Sequence, residues 1–274
     1  MDAPGHVPPA GSVGHWRAFD GLAVDVLVTG RAGGVSTGPY ESLNLGLHVG
    51  DRPERVAENR RRAAAALGLD IDDMVFCHQT HGRDVAVVGD GDRGRGATTV
   101  DDAVPADAVV TATPDLGLAV LAADCLTLVL HDPVAHVLAA VHAGWRGTVA
   151  RVTEAAVDAM AGLGAEPARI VAGLGPAITA ERYQVGAEVA EAARDCFAGD
   201  VDGIVQPDRR GRWTFDLSAA NRRILLEAGV PPGNVESSAV GTGPGTPYFS
   251  HRAEQPCGRF GALARLRPRG APVA

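Results

Sequence analysis

Four apolar runs of strand length lie between residues 106 and 143, and they restrict the possible folds of this chain more than any other feature. Short turns separate the runs, which read ADAVVTA, LGLAVLAA, LTLVLHD and HVLAAVH. Most of them lack the alternation of apolar and polar residues that a strand with one solvent-exposed face shows. Uninterrupted apolar runs of this length are typical of strands buried on both faces. The sequence therefore predicts a central sheet that other elements cover on both sides.

Predicted helices and further strands flank these runs. A strand is predicted over 22–29 and a helix over 52–69, where Pro53 suits the first helical turn. A second helix is predicted over 147–164, directly after a glycine-rich turn. Helices that alternate with buried strands favour an α/β fold, here with a mixed central sheet.

The domain organisation follows from the lack of any internal repeat or linker that would split the chain. We expect residues 16–274 to form one α/β domain, and the Pro- and Gly-rich residues 1–15 to form a disordered N-terminal tail. Inside the domain, residues 30–51 form a glycine-rich loop without a helical or strand period. Loops of this length in compact domains are usually functional or disordered.

Composition and charge exclude several classes of protein. The net charge is −8 and no long basic run occurs, so the sequence predicts no nucleic-acid partner. No window offers the ~18 consecutive apolar residues of a membrane span, and the first residues do not resemble a signal peptide. The four cysteines are widely spaced, which favours free thiols or metal ligands over disulfides. We therefore expect a cytoplasmic protein without a membrane partner.

Histidine or cysteine stands beside glycine or a turn at the ends of three apolar segments. The motifs are HQTHG (78–82), ADC (123–125) and HAGWRG (142–147). Zinc and copper accept imidazole and thiolate ligands, and a zinc ion with three protein ligands keeps a fourth position open for water or substrate. On spacing alone, this signal is weak, and ordinary buried side chains explain these residues better than a metal site does.

A set of motifs spread over residues 22–267 resembles the laccase-domain, or polyphenol oxidase, family of YfiH-like proteins. Members of this family are also described as purine nucleoside phosphorylases and as peptidoglycan editing factors. The most specific part of the resemblance is VHAGWRG with an upstream DC pair. The motifs that carry it are GRAGGVSTGPYESLNLGLHVGD, HQTHG, ADCLTLVLHD, VHAGWRGT, GPAI, YQVG and the stretch from YFSHR to GRFGALA.

The resemblance implies a fold, a metal site and an activity. The implied fold is a single-domain α/β sandwich with a mixed sheet, similar to the catalytic domain of cytotoxic necrotising factor. The implied site holds zinc, with copper as an alternative, on His81, Cys125 and His142, which are then the catalytic residues. The implied reactions use purine nucleosides and phosphate: phosphorolysis of adenosine, inosine and methylthioadenosine, deamination of adenosine by an activated water, and a copper-dependent oxidation of phenols.

Substrate contacts are predicted from residues near these motifs. Arg31 and Arg146 lie in Gly-flanked loops, and an arginine fork pairs well with phosphate oxygens. Asn44 and His48 in the long loop are candidates for contacts with ribose or base. Each has a structural alternative: Arg31 would tie the loop to a carboxylate, Arg146 would cap a turn, and the other two would brace the loop.

Gln79 and Asp124 flank the implied ligands and are expected to orient them. Two departures from the family pattern leave questions open. His78 is a competing metal ligand, and the segment HRAEQPCGRF leaves the role of Arg252 undefined while it introduces Cys257.

Two other functions fit the same residues. Cys125 as nucleophile and His142 as base would make a cysteine amidase that edits a peptidoglycan precursor. Alternatively, the metal would only stabilise an interaction module without catalytic activity. Metal content and turnover distinguish these possibilities.

Overall fold

The described residues form an α/β sandwich in which two sheets pack face to face and helices cover their outer faces. The computed structural model describes residues 12–14 and 16–270. The predicted α/β architecture with mixed sheets is confirmed. The likeness to the catalytic domain of cytotoxic necrotising factor stays a prediction.

The main elements are defined as follows. The strands are β1 (Ser12–Gly14), β2 (Val24–Thr29), β3 (Met74–Phe76), β4 (Val85–Val87), β5 (Ala108–Thr111), β6 (Gly117–Ala122), β7 (Leu126–Asp132), β8 (Val137–Ala143), β9 (Val171–Leu174), β10 (Gln184–Val185), β11 (Val205–Pro207), β12 (Trp213–Phe215), β13 (Val235–Ser237) and β14 (Phe260–Leu266). The helices are α1 (Pro53–Ala66), α2 (Trp145–Val149), α3 (Val152–Gly162), α4 (Ala187–Cys196) and α5 (Leu217–Glu227).

Both large sheets combine parallel and antiparallel strand pairs. One has the order β13-β9-β7-β8-β5-β4, with parallel pairs only at its two edges, and the other has the order β1-β2-β14-β6-β3. A small sheet, β10-β12-β11, lies apart from them. Every residue of β6, β7 and β8 is buried, as their lack of alternation predicted. None of the described helices is long and apolar enough to cross a membrane.

Three apolar layers hold the sandwich together. Between the two sheets, side chains such as Val120 and Phe260 pack with Val129 from the facing sheet. Helices α3, α4 and α5 cover the outer face of the six-stranded sheet, where Met160 is fully buried. Helix α1 covers the outer face of the other sheet through residues such as Ala64. This arrangement explains why the central strands carry apolar side chains on both faces.

Two parts of the predicted secondary structure are wrong. The helix predicted over 147–164 is broken into α2 and α3, because Arg151 adopts a left-handed conformation (φ 63°) between them. The chain end beyond residue 247 contains β14, which was not predicted and which pairs with both β2 and β6. Within the predicted disordered tail, Ser12–Gly14 form β1, which pairs with β2 at the edge of the sheet. The other residues of the predicted tail lie outside the described residues.

The sandwich brings three chain segments to one end. Cys125 immediately precedes β7 and His142 is the next-to-last residue of β8, and these two strands are antiparallel neighbours, with Thr127 opposite His142. Asp107 immediately precedes β5, on the other side of β8, and its carbonyl accepts the backbone N–H of His142 at 2.7 Å. The connection from β3 to β4 carries His81 to the same place.

Candidate metal centre

His81, Cys125 and His142 form a group of potential metal ligands. One ligand atom from each residue lies within 4.8 Å of the other two. The rings of the two histidines meet edge to face, with their centroids 4.9 Å apart. Burial increases from the exposed His81 through the half-buried Cys125 to the buried His142. The group therefore lies at the base of an opening rather than inside the core.

Asp107 orients His142. The Nδ1 atom of His142 lies 2.9 Å from Oδ1 of the Asp107 carboxylate, and Asp107 is completely buried. A carboxylate only accepts hydrogen bonds, so Nδ1 carries the proton and Nε2 is left as the ligand atom. Metal-binding histidines commonly have such a carboxylate partner, which fixes the ring and the tautomer.

The same carboxylate also holds the loop that carries His81. It accepts the backbone N–H groups of His81 at 3.0 Å and Gly82 at 2.7 Å, together with the N–H and hydroxyl of Thr80. His81 has a positive φ of 62°, a conformation that costs free energy for a residue with a side chain. One buried group thus positions two of the three potential ligands.

Electrostatic effects favour a thiolate at Cys125. Burial raises the pKa of the Cys125 thiol, but the His142 and His81 side chains outweigh burial and lower that pKa to about 6. Burial lowers the pKa of His142, and the neighbouring Cys125 and Asp107 outweigh that effect and raise it. By contrast, burial and the charge of Asp107 raise the pKa of Cys77 to about 12. Since the thiolate is the form that binds metals, Cys125 is the cysteine suited to do so.

The donor set fits a catalytic zinc ion. Two imidazoles and one thiolate are ligands that zinc accepts, and three protein ligands leave one coordination position for water or substrate. A cavity of about 550 Å³ opens onto the three side chains. Such a volume lies within the usual range for small-molecule sites.

Gln79 and Asp124 brace the segments around the potential ligands, and their role in orienting the ligands stays a prediction. The Gln79 side-chain amide pairs with both the carbonyl and the N–H of Leu121 near the end of β6. The Asp124 carboxylate accepts the Thr242 hydroxyl and the Arg252 backbone N–H, each at 2.6 Å. Both residues act through other groups and position the loops around Cys125.

The predicted substrate residues do not all reach the cavity. His48 lines it, whereas Arg31, Asn44 and Arg146 are not among the lining residues. Arg31 forms an ion pair with Glu254 at 3.1 Å. Asn44 is buried and braces the long loop through four hydrogen bonds. Arg146 is exposed and stacks on the ring of Trp145. The structural alternatives considered for Arg31 and Asn44 therefore match their contacts.

Sequence analysis did not identify several residues of the site. Asp107 precedes an apolar run as one acidic residue, and only its burial against His142 reveals its role. Tyr183, Arg252 and Arg259 line the cavity from distant segments. His78 also lines it but does not belong to the ligand group. The available signal for Asp107 in the sequence was one acidic residue within the otherwise apolar run ADAVVTA.

A substitution at Gly144 tests whether metal binding depends on the positions of the ligand side chains, because it keeps all three of them. A Cβ atom there would lie 3.0 Å from Cys125 Sγ and 3.0 Å from a ring carbon of His81. Its φ of −76° suits any residue, so the backbone tolerates alanine. We expect Gly144→Ala to weaken zinc binding by about tenfold, as displaced supporting contacts do, with little change in melting temperature. Competition with a chromogenic chelator measures the affinity.

Gly162→Ala is the matched control for this substitution. A Cβ at Gly162 meets no atom within 4 Å, so zinc affinity should not change. Equal affinity in the Gly144→Ala protein and the wild type would contradict the tight packing of Gly144 against the ligands.

The sequence and fold of this chain are similar to those of known proteins. A model of the family described as "Multi-copper polyphenol oxidoreductase laccase" matches residues 25–267. A Streptomyces griseus protein named "Purine nucleoside phosphorylase ORF3" is 46% identical over 239 residues, which cover 87% of this chain and 92% of that protein. "Adenosine deaminase RL5", from an unknown prokaryotic organism, is 40% identical over 218 residues, 78% of this chain and 82% of that protein. The crystal structure of the Bacillus licheniformis hypothetical protein YfiH superposes with a TM-score of 0.88 at 34% identity, and the match covers 95% of this chain and 97% of that one.

Proposed function

This chain belongs to the multi-copper polyphenol oxidoreductase laccase family, and we propose that it is a zinc-dependent purine nucleoside enzyme that phosphorolyses nucleosides and deaminates adenosine. The observation that carries the proposal is the group of His81, Cys125 and His142 at the base of an open cavity. The names of relatives at 40–46% identity, purine nucleoside phosphorylase and adenosine deaminase, support it.

The residues of this chain have separate tasks in the proposed reactions. When bound, a zinc ion supplies Lewis acidity and lowers the pKa of a water molecule, from ~15.7 toward ~7. Asp107 keeps the proton on Nδ1 of His142 and so presents Nε2 to the ion. Gln79 and Asp124 hold the ends of the segment that carries Cys125. The cavity walls bind the nucleoside and keep it beside the ligand group.

Several features support this proposal over phenol oxidation by copper. A multi-copper oxidase needs several copper sites, whereas the described residues 12–14 and 16–270 bring together one group of three or more His, Cys or acidic ligands. Copper binds most N/S sites more tightly than zinc, so stray copper at this group would give weak oxidation. We expect that oxidation to disappear in zinc-loaded, copper-free protein. All four cysteines are free thiols, which supports the proposed cytoplasmic location.

One observation favours a second candidate function, the cysteine amidase acting on a peptidoglycan precursor. Cys125, His142 and Asp107 lie in the order of a nucleophile, a base and an orienting acid. His81 has no task in that mechanism. Alkylation by iodoacetamide, with and without one equivalent of zinc, separates the two functions. Zinc should protect Cys125 if it is a ligand, and equal rates would favour the amidase.

Product analysis tests the proposed function directly. Metal-quantified protein is incubated with adenosine, with and without phosphate, and the products are separated. We expect adenine only in the presence of phosphate and inosine in both samples. If neither product forms in zinc-loaded protein, the proposed function is wrong.

A further inference from the structure

One wall of the cavity carries two arginines and two histidines. His48, His78 and Arg259 line the cavity next to His81, and Arg60 lies at the base of the same wall. His48 comes from the long loop, His78 from the end of β3 and Arg259 from the residue before β14. Three separate segments thus contribute basic side chains to one surface of a protein whose net charge is −8.

Within residues 12–14 and 16–270, no carboxylate is among the groups that act electrostatically on His48 in this wall. Burial and, after it, Arg259, Arg60, His78 and His81 lower the pKa of His48 to about 4. Its imidazole is therefore neutral at pH 7, and the arginines provide the positive charge of this wall. The one acidic residue that lines the cavity, Asp124, already accepts hydrogen bonds at both carboxylate oxygens. An anion bound at this wall would be attracted by the charges of Arg60 and Arg259, and it would raise the pKa of His48.

The basic groups differ in their capacity to donate hydrogen bonds to a ligand. Arg60 is buried, donates to the carbonyls of Leu45, Gly96 and Ala97, and stacks on Phe76, so its role is to provide charge. Arg259 uses Nη1 for the carbonyls of Cys257 and Gly258, while Nε and Nη2 donate to none of the described residues. The imidazoles of His48 and His78 also lack partners within residues 12–14 and 16–270.

The cavity wall on the other side of the ligand group contains Tyr183. Burial raises the pKa of the Tyr183 phenol, and Cys125, Arg252, Asp124 and Arg146 also act on it, whereas none of the groups that act on His48 does. Tyr183 lies beneath the Arg252 guanidinium, 5.3 Å from it, and offers an aromatic face. The Tyr183 side therefore offers an aromatic face for a base, while Arg259 on the other side keeps two donor atoms for an anion.

We propose that the wall formed by His48, His78 and Arg259 is the binding site for inorganic phosphate in the phosphorolysis reaction. This inference rests on the proposed function and assigns the phosphate to different residues than Arg31 and Arg146. In the reaction, a phosphate oxygen forms a bond to C1′ of the ribose while the C1′–N9 bond breaks. The electron pair of that bond leaves on the purine, which takes up the proton that hydrogen phosphate gives up, and the sugar leaves as its 1-phosphate.

The test compares wild type with the double variant His48→Gln/His78→Gln. Both residues are exposed at the cavity mouth, and glutamine keeps their polarity, so the fold should be unaffected. Phosphate binding to the zinc-loaded protein is measured by ³¹P NMR titration, independently of turnover. We expect the dissociation constant of phosphate, and its KM in phosphorolysis, to rise at least about tenfold. The melting temperature of the double variant should equal that of the wild type, which excludes unfolding as the cause of the lost affinity.

Other outcomes would overturn the assignment. Unchanged phosphate affinity in the double variant would do so, as would a loss of affinity in Arg31→Gln or Arg146→Gln instead. If His81→Gln abolishes phosphate binding and the double variant does not, the anion is held by the metal ion. A wrong proposed function would give a different result. In that case the double variant would still lose phosphate binding, but neither the wild type nor any variant would form adenine or inosine.

Discussion

Replacement of Cys125 by serine is expected to leave the folded protein without its metal ion and to lower kcat/KM for nucleosides by about 10³-fold or more. Cys125 contributes the only sulfur to the ligand group, and its Sγ lies within 4.8 Å of the ligand nitrogens of both His81 and His142. A serine hydroxyl stays protonated at neutral pH and is a poor ligand for zinc. Metal content after dialysis and steady-state kinetics measure the two effects.

The fold should survive this change, because the two side chains are similar in size and Cys125 is half-buried. Cys196→Ser is the matched control: this cysteine is also half-buried, lies at the end of α4, and should keep both metal and turnover. A Cys125→Ser protein that retains one zinc per chain would show that the histidines suffice. The proposed ligand set would then be wrong.

The ligand set shows what the sequence can predict. His81, Cys125 and His142 each stand beside a glycine or a turn at the end of an apolar run, and a resemblance of their motifs to a known family selects them from the nine histidines and four cysteines. The apolar runs themselves predict β6, β7 and β8 because burial on both faces removes alternation. The local hydrophobic pattern is sufficient to predict these strands, and the local motifs are sufficient to predict the three ligands.

Features that depend on long-range contacts escaped prediction. Strand β14 contains small residues and an arginine, and only its pairing with β2 and β6 reveals it as a central strand. At the break between α2 and α3, Arg151 forms ion pairs with Glu154 and with Glu227, which lies 76 residues away. Tertiary contacts override local propensity at such positions.

Substrate residues are the least predictable part of the site. Arg31 and His48 lie in the same glycine-rich loop, yet only His48 faces the cavity, since Arg31 pairs with Glu254 from the other end of the chain. Asn44 fixes the loop by bonding to Asp51 and to the backbone of Arg259. The direction of a side chain in an irregular loop depends on such distant partners, which the spacing of residues does not encode.

The second large effect is expected for Asp107→Asn, which should weaken zinc binding by about 10- to 100-fold. The Asp107 carboxylate accepts hydrogen bonds from His142 Nδ1 and from the backbone of residues 80–82. An asparagine amide has one acceptor oxygen, and its NH₂ group would face donors on the other side. The ring of His142 and the loop of His81 would therefore lose their common anchor, with both ligands displaced.

Asp132→Asn separates this positioning role from simple destabilisation. Asp132 is also fully buried, ends β7 at the far end of the same sheet, and accepts backbone N–H groups from Val134, Ala135 and Glu166. Both variants should lose about 1–3 kcal/mol of unfolding free energy, because each leaves a buried donor without its acceptor. Zinc affinity, measured well below both melting temperatures, should fall only in Asp107→Asn, where ¹⁵N NMR should also report an altered tautomer of His142. Equal zinc affinity in the two variants would show that Asp107 only stabilises the fold. The proposed positioning of His81 and His142 by its carboxylate would then be wrong.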